Sequence, residues 1–493
     1  MFRALLRNGV LALLATLLLP GAPLPQGAFA ADPIALGGPG EPRHFLDGGA
    51  GSGSAIPELD ALILDNMQQN HIPGVAACAF WDGNVIWSGN YGYADVERGL
   101  AVTDSTLFML ASVSKTVTGT ALMQLWESGG FGLDDDIAPY LPFEVHNPLY
   151  PTAPITFRML LTHTSSIRDD RGLFDVVTVP GDSPIALAQF LQDYLTPGGL
   201  YYDPNENYTQ SEPGSSHEYS SIGVALAGYL VEIIAGQDFA SYCQESVLDR
   251  LGMEDTSWFL APLDTTRIAR PYRWVSGSYL PYTHYGYPFY PAGQLRSTVS
   301  ELARFLMVFT GGAEGVLEPE TAQLMNTLHF PPDQGLIWFR TSADGYEAWK
   351  HTGGHYGVST YVLVLPSARS GMVILTNGEA STTPMPLWIW NYVLSQPAAV
   401  GDGDRHAAVR LMPSVPNPFR SGTTIRFDLE RDGPVTLEVY DVQGRAIATL
   451  LDEAVPAGRH SVGFDATGLA DGVYLFRLRT DRRSFFQKGL LIR

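Results

Sequence analysis

The chain has 493 residues, which is too long for one compact domain and indicates two or three. An apolar fraction of 45%, with 23 Tyr and 23 Phe, is enough for packed cores and excludes a wholly disordered chain. The formal net charge of −21 argues against nucleic acid and anionic membrane surfaces as partners.

The first 30 residues have the pattern of a secretory signal peptide. Arg3 and Arg7 precede an apolar run from Val10 to Leu19, and the small residues Ala28 and Ala30 offer a cleavage site. The run is too short to span a bilayer comfortably, and no later stretch could do so. We therefore predict an exported protein, secreted or at the cell surface, without a transmembrane segment in the mature chain.

A Gly-rich linker, residues 31–56, is predicted between the signal peptide and the first folded domain. Helical spacing of apolar residues predicts a helix from Leu59 to Gln69 at the start of that domain. Val75–Trp81 and Asn84–Gly89 then flank the turn signal Asp82-Gly83, which predicts a β-hairpin.

The next predicted helix begins at a serine. Ser112 precedes an apolar, small-residue stretch that ends at Gly129-Gly130, so Lys115 lies one turn further on the same side. The chain has only three lysines, Lys115, Lys350 and Lys488, which makes each one informative. A lysine can deprotonate a serine when desolvation and nearby positive charge lower its pKa from about 10 towards neutrality. Ser112 and Lys115 are therefore the candidate nucleophile and base.

A tyrosine stands just before the following predicted helix, in Glu218-Tyr219-Ser220-Ser221. On its own, Tyr219 is more simply read as a packing residue. Beside a Ser-Lys pair, its phenol could relay the serine proton to the leaving group, provided that an adjacent ammonium lowers the pKa of the phenol.

Aromatic residues are concentrated between residues 258 and 290 of the sequence. Either some of these rings line a substrate cleft and favour apolar acyl or aryl groups, or they pack a long surface loop. The crowded residues include Trp258, Tyr272, Trp274, Tyr279, Tyr282, Tyr285, Tyr287 and Tyr290.

A last motif with chemical potential is His351-Thr352-Gly353-Gly354, beside a predicted strand. The glycine pair lets a substrate lie against the backbone, whose N–H groups can stabilise an oxyanion. His351 could bind or orient substrate, or could be a structural histidine. Lys350 should point to the opposite side of the strand, so we leave it out of the site.

Strands at both ends of residues 57–396 bound a region of helices. Val358–Leu365 and Gly371–Asn377 are predicted as adjacent strands near the end of this region, and the hairpin described above lies near its start. This arrangement predicts an α+β domain in which the terminal segments share one antiparallel sheet.

A second linker, residues 397–410, leads to a different kind of domain at 411–493. Short runs of alternating apolar and polar residues predict a small all-β sandwich without a catalytic signature. The runs are separated by the turn signals Asp432-Gly433-Pro434, Gln443-Gly444, Ala457-Gly458 and Asp471-Gly472.

Two cysteines, Cys78 and Cys243, both have apolar neighbours in the sequence. They could form a disulfide in an oxidising compartment, or remain free and buried.

Three short motifs carry a family resemblance. Ser112-Val113-Ser114-Lys115, Tyr219-Ser220-Ser221 and His351-Thr352-Gly353, in this order, resemble the motifs of the class C β-lactamase family, which also includes esterases, D-aminopeptidases and DD-peptidases. Residues 160–166 and 291–297 resemble two further segments of that family. The resemblance covers residues 57–396 and implies an antiparallel sheet flanked by helices, an inserted helical domain, and an active site between them.

The resemblance also implies an acyl-enzyme mechanism that needs no metal and no cofactor. The catalytic residues would be Ser112, Lys115 and Tyr219, and the oxyanion would be bound by the backbone N–H groups of Ser112 and Gly354. The other implied substrate-binding residues are Ser221, His351, Thr352 and Gly353.

Two positions depart from the family pattern. Ser221 replaces the usual Asn of the tyrosine motif, and a serine reaches less far with fewer hydrogen-bonding groups. His351 replaces the Lys of K-T-G and is a weaker anchor for the carboxylate of a β-lactam at neutral pH. Both changes favour the esterase or peptidase branches over β-lactamase activity.

The C-terminal domain resembles the sorting domain of the type IX secretion system. The resemblance rests on Pro416-Asn417-Pro418-Phe419, on residues 439–445 and on Gly472-Val473-Tyr474. It implies export across the outer membrane, with the secretion machinery as a partner.

The predicted function is hydrolysis of an ester or amide, in a small-molecule or peptide substrate, through an acyl-enzyme on Ser112. An esterase is the first expectation. The alternatives are a D-amino-acid peptidase or DD-carboxypeptidase, a β-lactamase, or a surface binding protein built on an inactive hydrolase fold.

Overall fold

The computed structural model describes residues 56–343, 346–394, 410–412, 414–429, 431–441, 445–480 and 484–492. The predicted signal peptide, all but the last residue of the Gly-rich linker, and nearly all of the linker at 397–410 lie outside the described residues.

Residues 56–394 combine one large sheet with short two-stranded pairs. The predicted hairpin is present, and its second strand runs past Gly89. The strands are β1 Gly74–Trp81, β2 Asn84–Asp95, β3 Leu100–Ala101, β4 Phe108–Met109, β5 Val179–Pro180, β6 Tyr272–Val275, β7 Ser278–Pro281, β8 Tyr285–Gly286, β9 Arg296–Ser297, β10 Phe339–Ala343, β11 Tyr346–His355, β12 Val358–Leu365 and β13 Ser370–Thr376.

The first helix of this region is the one predicted after the linker. It begins at Pro57, whose fixed φ suits the first position of a helix. The helices are α1 Pro57–Gln69, α2 Ser114–Glu127, α3 Phe157–Leu161, α4 Arg171–Val177, α5 Leu187–Leu195, α6 Ser221–Ala235, α7 Phe239–Cys243, α8 Val299–Met307, α9 Pro319–Met325 and α10 Met385–Ile389.

The large sheet joins the two ends of the domain. Its strand order is β10-β11-β12-β13-β1-β2-β3, and every neighbouring pair is antiparallel. Cys78 of β1 lies opposite Val373 of β13, nearly 300 residues later in the chain. The prediction that terminal segments share one antiparallel sheet is confirmed.

Helices cover both faces of this sheet. Side chains alternate across β1, so that Ala77 packs in one core with Leu59 of α1, while Cys78 packs in the other core with Val117 of α2 and Leu302 of α8. Helix α6 is almost entirely buried and packs against α2 in the helical region between β4 and β9. An antiparallel sheet flanked by helices with a helical insertion is the fold class that the sequence predicted.

Both thiols are free and buried. Cys78 donates a weak hydrogen bond to the carbonyl of Val299, with a sulfur-to-oxygen distance of 3.7 Å, and Cys243 ends α7. Burial raises the pKa of Cys78 to about 12 and raises that of Cys243 above its ordinary range. Of the two alternatives that the sequence left open, the structure therefore has the free thiols.

The C-terminal residues form two small sheets, β14-β15-β18 and β17-β16-β19-β20, around their own apolar core. Ile425 and Phe427 of one sheet pack with Leu437 and Phe476 of the other, as the alternating pattern predicted. The strands are β14 Arg410–Leu411, β15 Gly422–Leu429, β16 Gly433–Asp441, β17 Ala446–Val455, β18 Gly458–Asp465, β19 Gly472–Thr480 and β20 Ser484–Leu491.

Among the described residues, no single helix has the length and apolar character needed to cross a membrane. Ser221–Ala235 and Phe239–Leu251 meet those requirements only as a pair, and the chain bends by 82° between them.

Candidate active site

The candidate nucleophile lies on a strained turn. Ser112 is the middle residue of a 3-10 turn that leads into α2, and the residue before it, Ala111, is buried with a φ of +46°, a conformation that costs a non-glycine residue energy. The turn is fixed through Leu110, whose N–H donates to Leu295 O at 2.8 Å and whose carbonyl accepts from Thr360 Oγ1 at 2.8 Å. Two distant segments therefore hold the Ser112 turn in place.

Lys115 lies beneath Ser112 with no exposed surface. Its Nζ lies 3.0 Å from Ser112 Oγ and donates to Ala292 O at 2.6 Å. Burial lowers the pKa of Lys115 to about 7, and the negative charge of Asp169 opposes that shift. The sequence predicted a lowered pKa caused by desolvation and by positive charge, whereas the structure gives desolvation as the cause.

Tyr219 completes a cluster of three polar groups. Its hydroxyl is hydrogen-bonded to the side chain of Ser112, and Lys115 Nζ lies 5.1 Å from the centroid of its ring. Burial raises the pKa of Tyr219 well above its ordinary value of 10. The sequence makes the relay role conditional on an adjacent ammonium lowering this pKa, and the structure does not meet that condition, because desolvation of the phenolate raises the pKa. At neutral pH, Tyr219 is a hydrogen-bond donor and Lys115 is the available base.

Two residues that the sequence did not single out hold Tyr219 and the start of α6. Asp169 accepts hydrogen bonds from Ser221 N at 2.8 Å and from Ile222 N at 3.1 Å. His163 Nδ1 accepts from Ser220 N at 3.3 Å, and its ring centroid lies 4.3 Å from that of Tyr219. His163 belongs to a segment that carried the family resemblance, but no motif pointed to Asp169.

Strand β11 presents a free edge to the Ser112 turn. Strand β10 pairs with β11 only as far as Lys350, so the residues after it are unpaired on that side. A Cβ added to Gly353 would overlap Thr360 Oγ1 and Leu110 O and would lie 3.1 Å from Ser112 N, whereas a Cβ on Gly354 would meet nothing within 4 Å. Only a glycine at 353 allows the strand to approach the Ser112 turn this closely.

The predicted site residues fall into two groups, those that line one cleft and those that do not. Ser112, Tyr219, Ser221 and Gly354 line one cleft together. His351, Thr352, Gly353 and Lys115 are not among its lining residues. The His351 side chain is 1% exposed and lies on the Gly353 side of β11, while Thr352 alternates to the other side with Lys350, as strand geometry requires.

The cleft has a volume of about 430 Å³ and one aromatic wall. The wall is a continuous series of stacked rings, Phe174 on Phe289 at 4.2 Å, Phe289 on Tyr287 at 4.4 Å, and Tyr287 on His355 at 5.2 Å. The charged residues that line the cleft are Asp169, Arg171, Asp175 and Glu379. The cleft is thus aromatic on one side and carries three carboxylates against one guanidinium.

Residues 59–395 match the family model described as Beta-lactamase, which is more than half of the chain. The chain belongs to the beta-lactamase family. Residues 415–492 match the model described as Secretion system C-terminal sorting domain, so this family member also carries a type IX sorting domain. A sorting domain of this kind indicates export to the cell surface or into the medium.

Named relatives of this beta-lactamase family member agree with that assignment. It is 23% identical over 334 residues to Protein flp of Staphylococcus aureus (strain N315), a match that covers 66% of this chain and spans 64% of the length of the S. aureus protein. The structure of the octameric penicillin-binding protein homologue from Pyrococcus abyssi is 18% identical with a TM-score of 0.58, covering 89% of this chain and 97% of the other. EstCE1, a hydrolase with promiscuous acyltransferase activity, is 22% identical with a TM-score of 0.56, covering 68% and 97%.

The aromatic segment of this family member divides between cleft and core. Tyr287 lines the cleft, together with Phe289 from the same segment. Trp258 and Tyr290 instead pack around Phe239, and Trp274 is 36% exposed on the β6–β7 hairpin. Some rings of the segment therefore line the cleft, while Trp258 and Tyr290 pack in the main core of the domain and not in a surface loop.

Within the described ranges, no group of three or more His, Cys, Asp and Glu side chains is placed to hold a metal ion.

Proposed function

We propose that this protein is an exported serine hydrolase that cleaves an ester or amide through an acyl-enzyme on Ser112. The observation that carries the proposal is the 3.0 Å contact between Lys115 Nζ and Ser112 Oγ, in which burial lowers the pKa of Lys115 to about 7. A buried amine that is half neutral at pH 7 can take the serine proton as Oγ attacks a carbonyl carbon.

The remaining groups fit the rest of the cycle. The tetrahedral oxyanion would accept hydrogen bonds from the backbone N–H groups of Ser112 and Gly354, both of which line the cleft. Tyr219 would give its proton to the leaving oxygen or nitrogen, and the proton that Lys115 took from Ser112 would pass to the Tyr219 oxygen, so that both groups return to their neutral forms. Water would then attack the acyl carbon and give a proton to Lys115. Lys115 would return that proton to Ser112 Oγ as the acyl–oxygen bond breaks, which releases the acid product and restores free Ser112.

The charge of the cleft favours a neutral ester as substrate. Burial and the nearby Lys115 lower the pKa of His351 to about 3, so at neutral pH the imidazole carries no charge that could anchor a substrate carboxylate. Arg171 is the one guanidinium among the lining residues, against the three carboxylates of Asp169, Asp175 and Glu379. A β-lactam or a peptide with a C-terminal carboxylate therefore meets a net negative cleft, whereas an uncharged aryl or alkyl ester meets the aromatic wall.

The test is the intact mass of the purified protein after exposure to a fluorophosphonate probe. We expect one adduct on the wild type and none on Ser112→Ala, with a folded protein and a cooperative melting transition in both cases, because Ser112 is only partly buried. No adduct on folded wild-type protein would instead support the binding-protein alternative.

Substrate class is tested next by comparing hydrolysis of a neutral aryl ester, an N-acyl-D-alanyl-D-alanine peptide and a chromogenic cephalosporin. We expect the highest kcat/KM for the ester. A higher kcat/KM for the peptide or the cephalosporin would overturn the ester assignment and leave the Ser112 mechanism intact.

The sorting domain and the predicted signal peptide give the same protein a route out of the cell. We propose that it crosses the outer membrane and acts at the surface or in the medium.

A further inference from the structure

Behind the cleft lie two buried histidines that the mechanism above does not use. His163 and His351 are each 1% exposed, and neither lines the cleft. Both approach the ring of Phe339, at centroid distances of 6.3 Å and 5.6 Å. Lys115 is close enough that its charge lowers the pKa of both imidazoles.

The partners of the two Nδ1 atoms determine opposite tautomers. His163 Nδ1 accepts the backbone N–H of Ser220, so the proton of the neutral ring is on Nε2. His351 Nδ1 lies 2.8 Å from the carbonyl oxygen of Thr352, which can only accept, so the proton of this ring is on Nδ1.

The two Nε2 atoms are therefore complementary. The Nε2 of His163 is a donor and the Nε2 of His351 is an acceptor, both atoms are buried, and neither has a hydrogen-bond partner among the described protein atoms. A buried polar atom without a partner costs about 1–3 kcal/mol, and native proteins satisfy such atoms with internal water when two to four polar groups converge.

Neutral Lys115 supplies a third group to the same region. Its nitrogen has two N–H groups and one lone pair, and one N–H is taken by the carbonyl of Ala292. For Lys115 to act as a base, its lone pair must point at Ser112 Oγ, 3.0 Å away. The second N–H then needs an acceptor on the buried side.

We propose that ordered internal water links His163 Nε2, His351 Nε2 and Lys115 Nζ, and that this network aims the lone pair of Lys115 at Ser112. The water accepts the N–H of His163 and the second N–H of Lys115, and donates to His351. The two histidines are thus positioning residues, which act on the reaction through Lys115. This role for His351 differs from the direct substrate contact that the sequence predicted.

The titratable groups around the pair are consistent with two neutral rings. The ring of His163 lies beside those of His217 and Tyr219, and burial together with the charges of Lys115, His217 and His351 holds its pKa well below 6.5. Burial and the charge of Lys115 also lower the pKa of His351. Because both rings are neutral, neither carries a charge that would compete with Ser112 for interaction with Lys115.

The proposal rests on the proposed function for the role of Lys115, but its first test does not need activity. In the ¹⁵N-histidine spectrum of the full-length protein at pH 7.5, we expect a neutral Nε2–H tautomer for His163 and a neutral Nδ1–H tautomer for His351, each assigned by its His→Gln variant. A charged ring, or the other tautomer at either position, overturns the proposal.

A crystal structure of the full chain at high resolution tests the water itself. We expect a water oxygen within about 3.2 Å of both Nε2 atoms or a short chain of waters joining them. A direct hydrogen bond between the two rings, or a dry contact, overturns the proposal while leaving a fluorophosphonate adduct on Ser112 unaffected.

Kinetics separate positioning from packing. His351→Leu removes the acceptor, and the matched variant His351→Gln keeps an acceptor near the Nε2 position. We expect kcat for a neutral ester to fall by about 10- to 100-fold in His351→Leu, with KM unchanged, and by less than about threefold in His351→Gln. The double variant His163→Leu/His351→Leu should be no slower than the worse single variant.

Equal losses in His351→Leu and His351→Gln, a loss confined to KM, or single-variant losses that multiply would each overturn the network. If His351→Leu does not fold, the tautomers and the water in the wild-type protein still decide the proposal.

Discussion

Lys115 is a buried amine that forms no ion pair with any residue that the structure describes, and this environment suits the role of base that we propose for it. Its polar contacts are a hydroxyl, a carbonyl and the face of a phenol ring. These contacts do not offset the free-energy cost of desolvating an ammonium, so the pKa of Lys115 falls to about 7. The neutral amine is therefore available at physiological pH.

This pKa predicts the acidic limb of the pH–rate profile. Because the proposed mechanism uses the neutral form of Lys115 as the base, kcat/KM for a neutral ester should rise with pH through about 7 and then level off. The profile is measured between pH 5 and pH 9 with initial rates.

The control for that limb is Lys115→Arg. A guanidinium cannot lose its proton in this range, so kcat/KM should fall by about 10²–10⁴-fold. An acidic limb that persists unchanged in this variant would assign the limb to another group.

The same buried amine predicts a stability effect with a defined sign. The pKa of Lys115 is about 10.5 in the unfolded chain and about 7 in the folded one. Between these values the unfolded state binds more protons, so wild-type stability rises with pH by up to about 1.4 kcal/mol per pH unit. Lys115→Met lacks this term, and its advantage in melting temperature over wild type should be largest at pH 6–7 and shrink towards pH 9.

Calorimetry of the catalytic-domain transition at pH 6, 7, 8 and 9 measures that difference. A difference between Lys115→Met and wild type that is constant with pH would mean that the pKa of Lys115 is not lowered in the folded protein.

At the scale of elements, β11 must lie against the Ser112 turn, and a pair of adjacent glycines offers a matched test. In Gly353→Ala the new methyl group would push against Thr360 and the Leu110 carbonyl. We expect a loss of about 1–3 kcal/mol in stability and a slower reaction with the fluorophosphonate probe. In Gly354→Ala the methyl group meets open space, and stability should stay within about 0.5 kcal/mol of wild type.

Urea unfolding and the rate of probe labelling measure both variants. Equal stability of the two variants would mean that β11 does not approach Ser112 as closely as the structure has it.

Elements with a local sequence signal could be predicted, and contacts made across the chain could not. Ser112, Lys115 and Tyr219 stand beside helix starts with recognisable neighbours, and a sheet shared by both ends of the domain followed from strands at both ends, although the pairing of β1 with β13 did not. The strained φ of Ala111 depends on a hydrogen bond from Thr360 to Leu110, 250 residues apart in sequence.

The same reasoning applies to the two expectations about charge, of which the lowered pKa of Lys115 holds and the lowered pKa of Tyr219 does not. A sequence shows that an ammonium is one helical turn from a serine, but not how far it and Tyr219 are desolvated. Burial raises the pKa of Tyr219 and lowers that of Lys115 at once, and burial is a property of the packed cores around α2 and α6. The position of Asp169 at the start of α6 is likewise a product of folding.

At the scale of the whole molecule, the predicted active-site residues and the sorting domain belong to separate apolar cores. The apolar clusters of residues 59–394 share no member with the cluster formed by residues 411–491. The predicted active-site residues all lie in the first unit, and the match to the sorting domain begins at residue 415. Each unit therefore has the buried apolar side chains that it needs to fold by itself.

A chain ended after Leu394 tests this division. It should keep the melting transition of the catalytic domain and react with the fluorophosphonate probe at the full-length rate, because it retains both apolar cores of that domain. In a host with type IX secretion machinery, the truncated chain should accumulate inside the outer membrane. The control is the full-length Ser112→Ala protein, which lacks the nucleophile but keeps the tail and should reach the surface or the medium. Delivery of the truncated chain to the surface would mean that the export signal lies within residues 1–394. Loss of its melting transition would mean that the sorting domain also stabilises the fold of the catalytic domain.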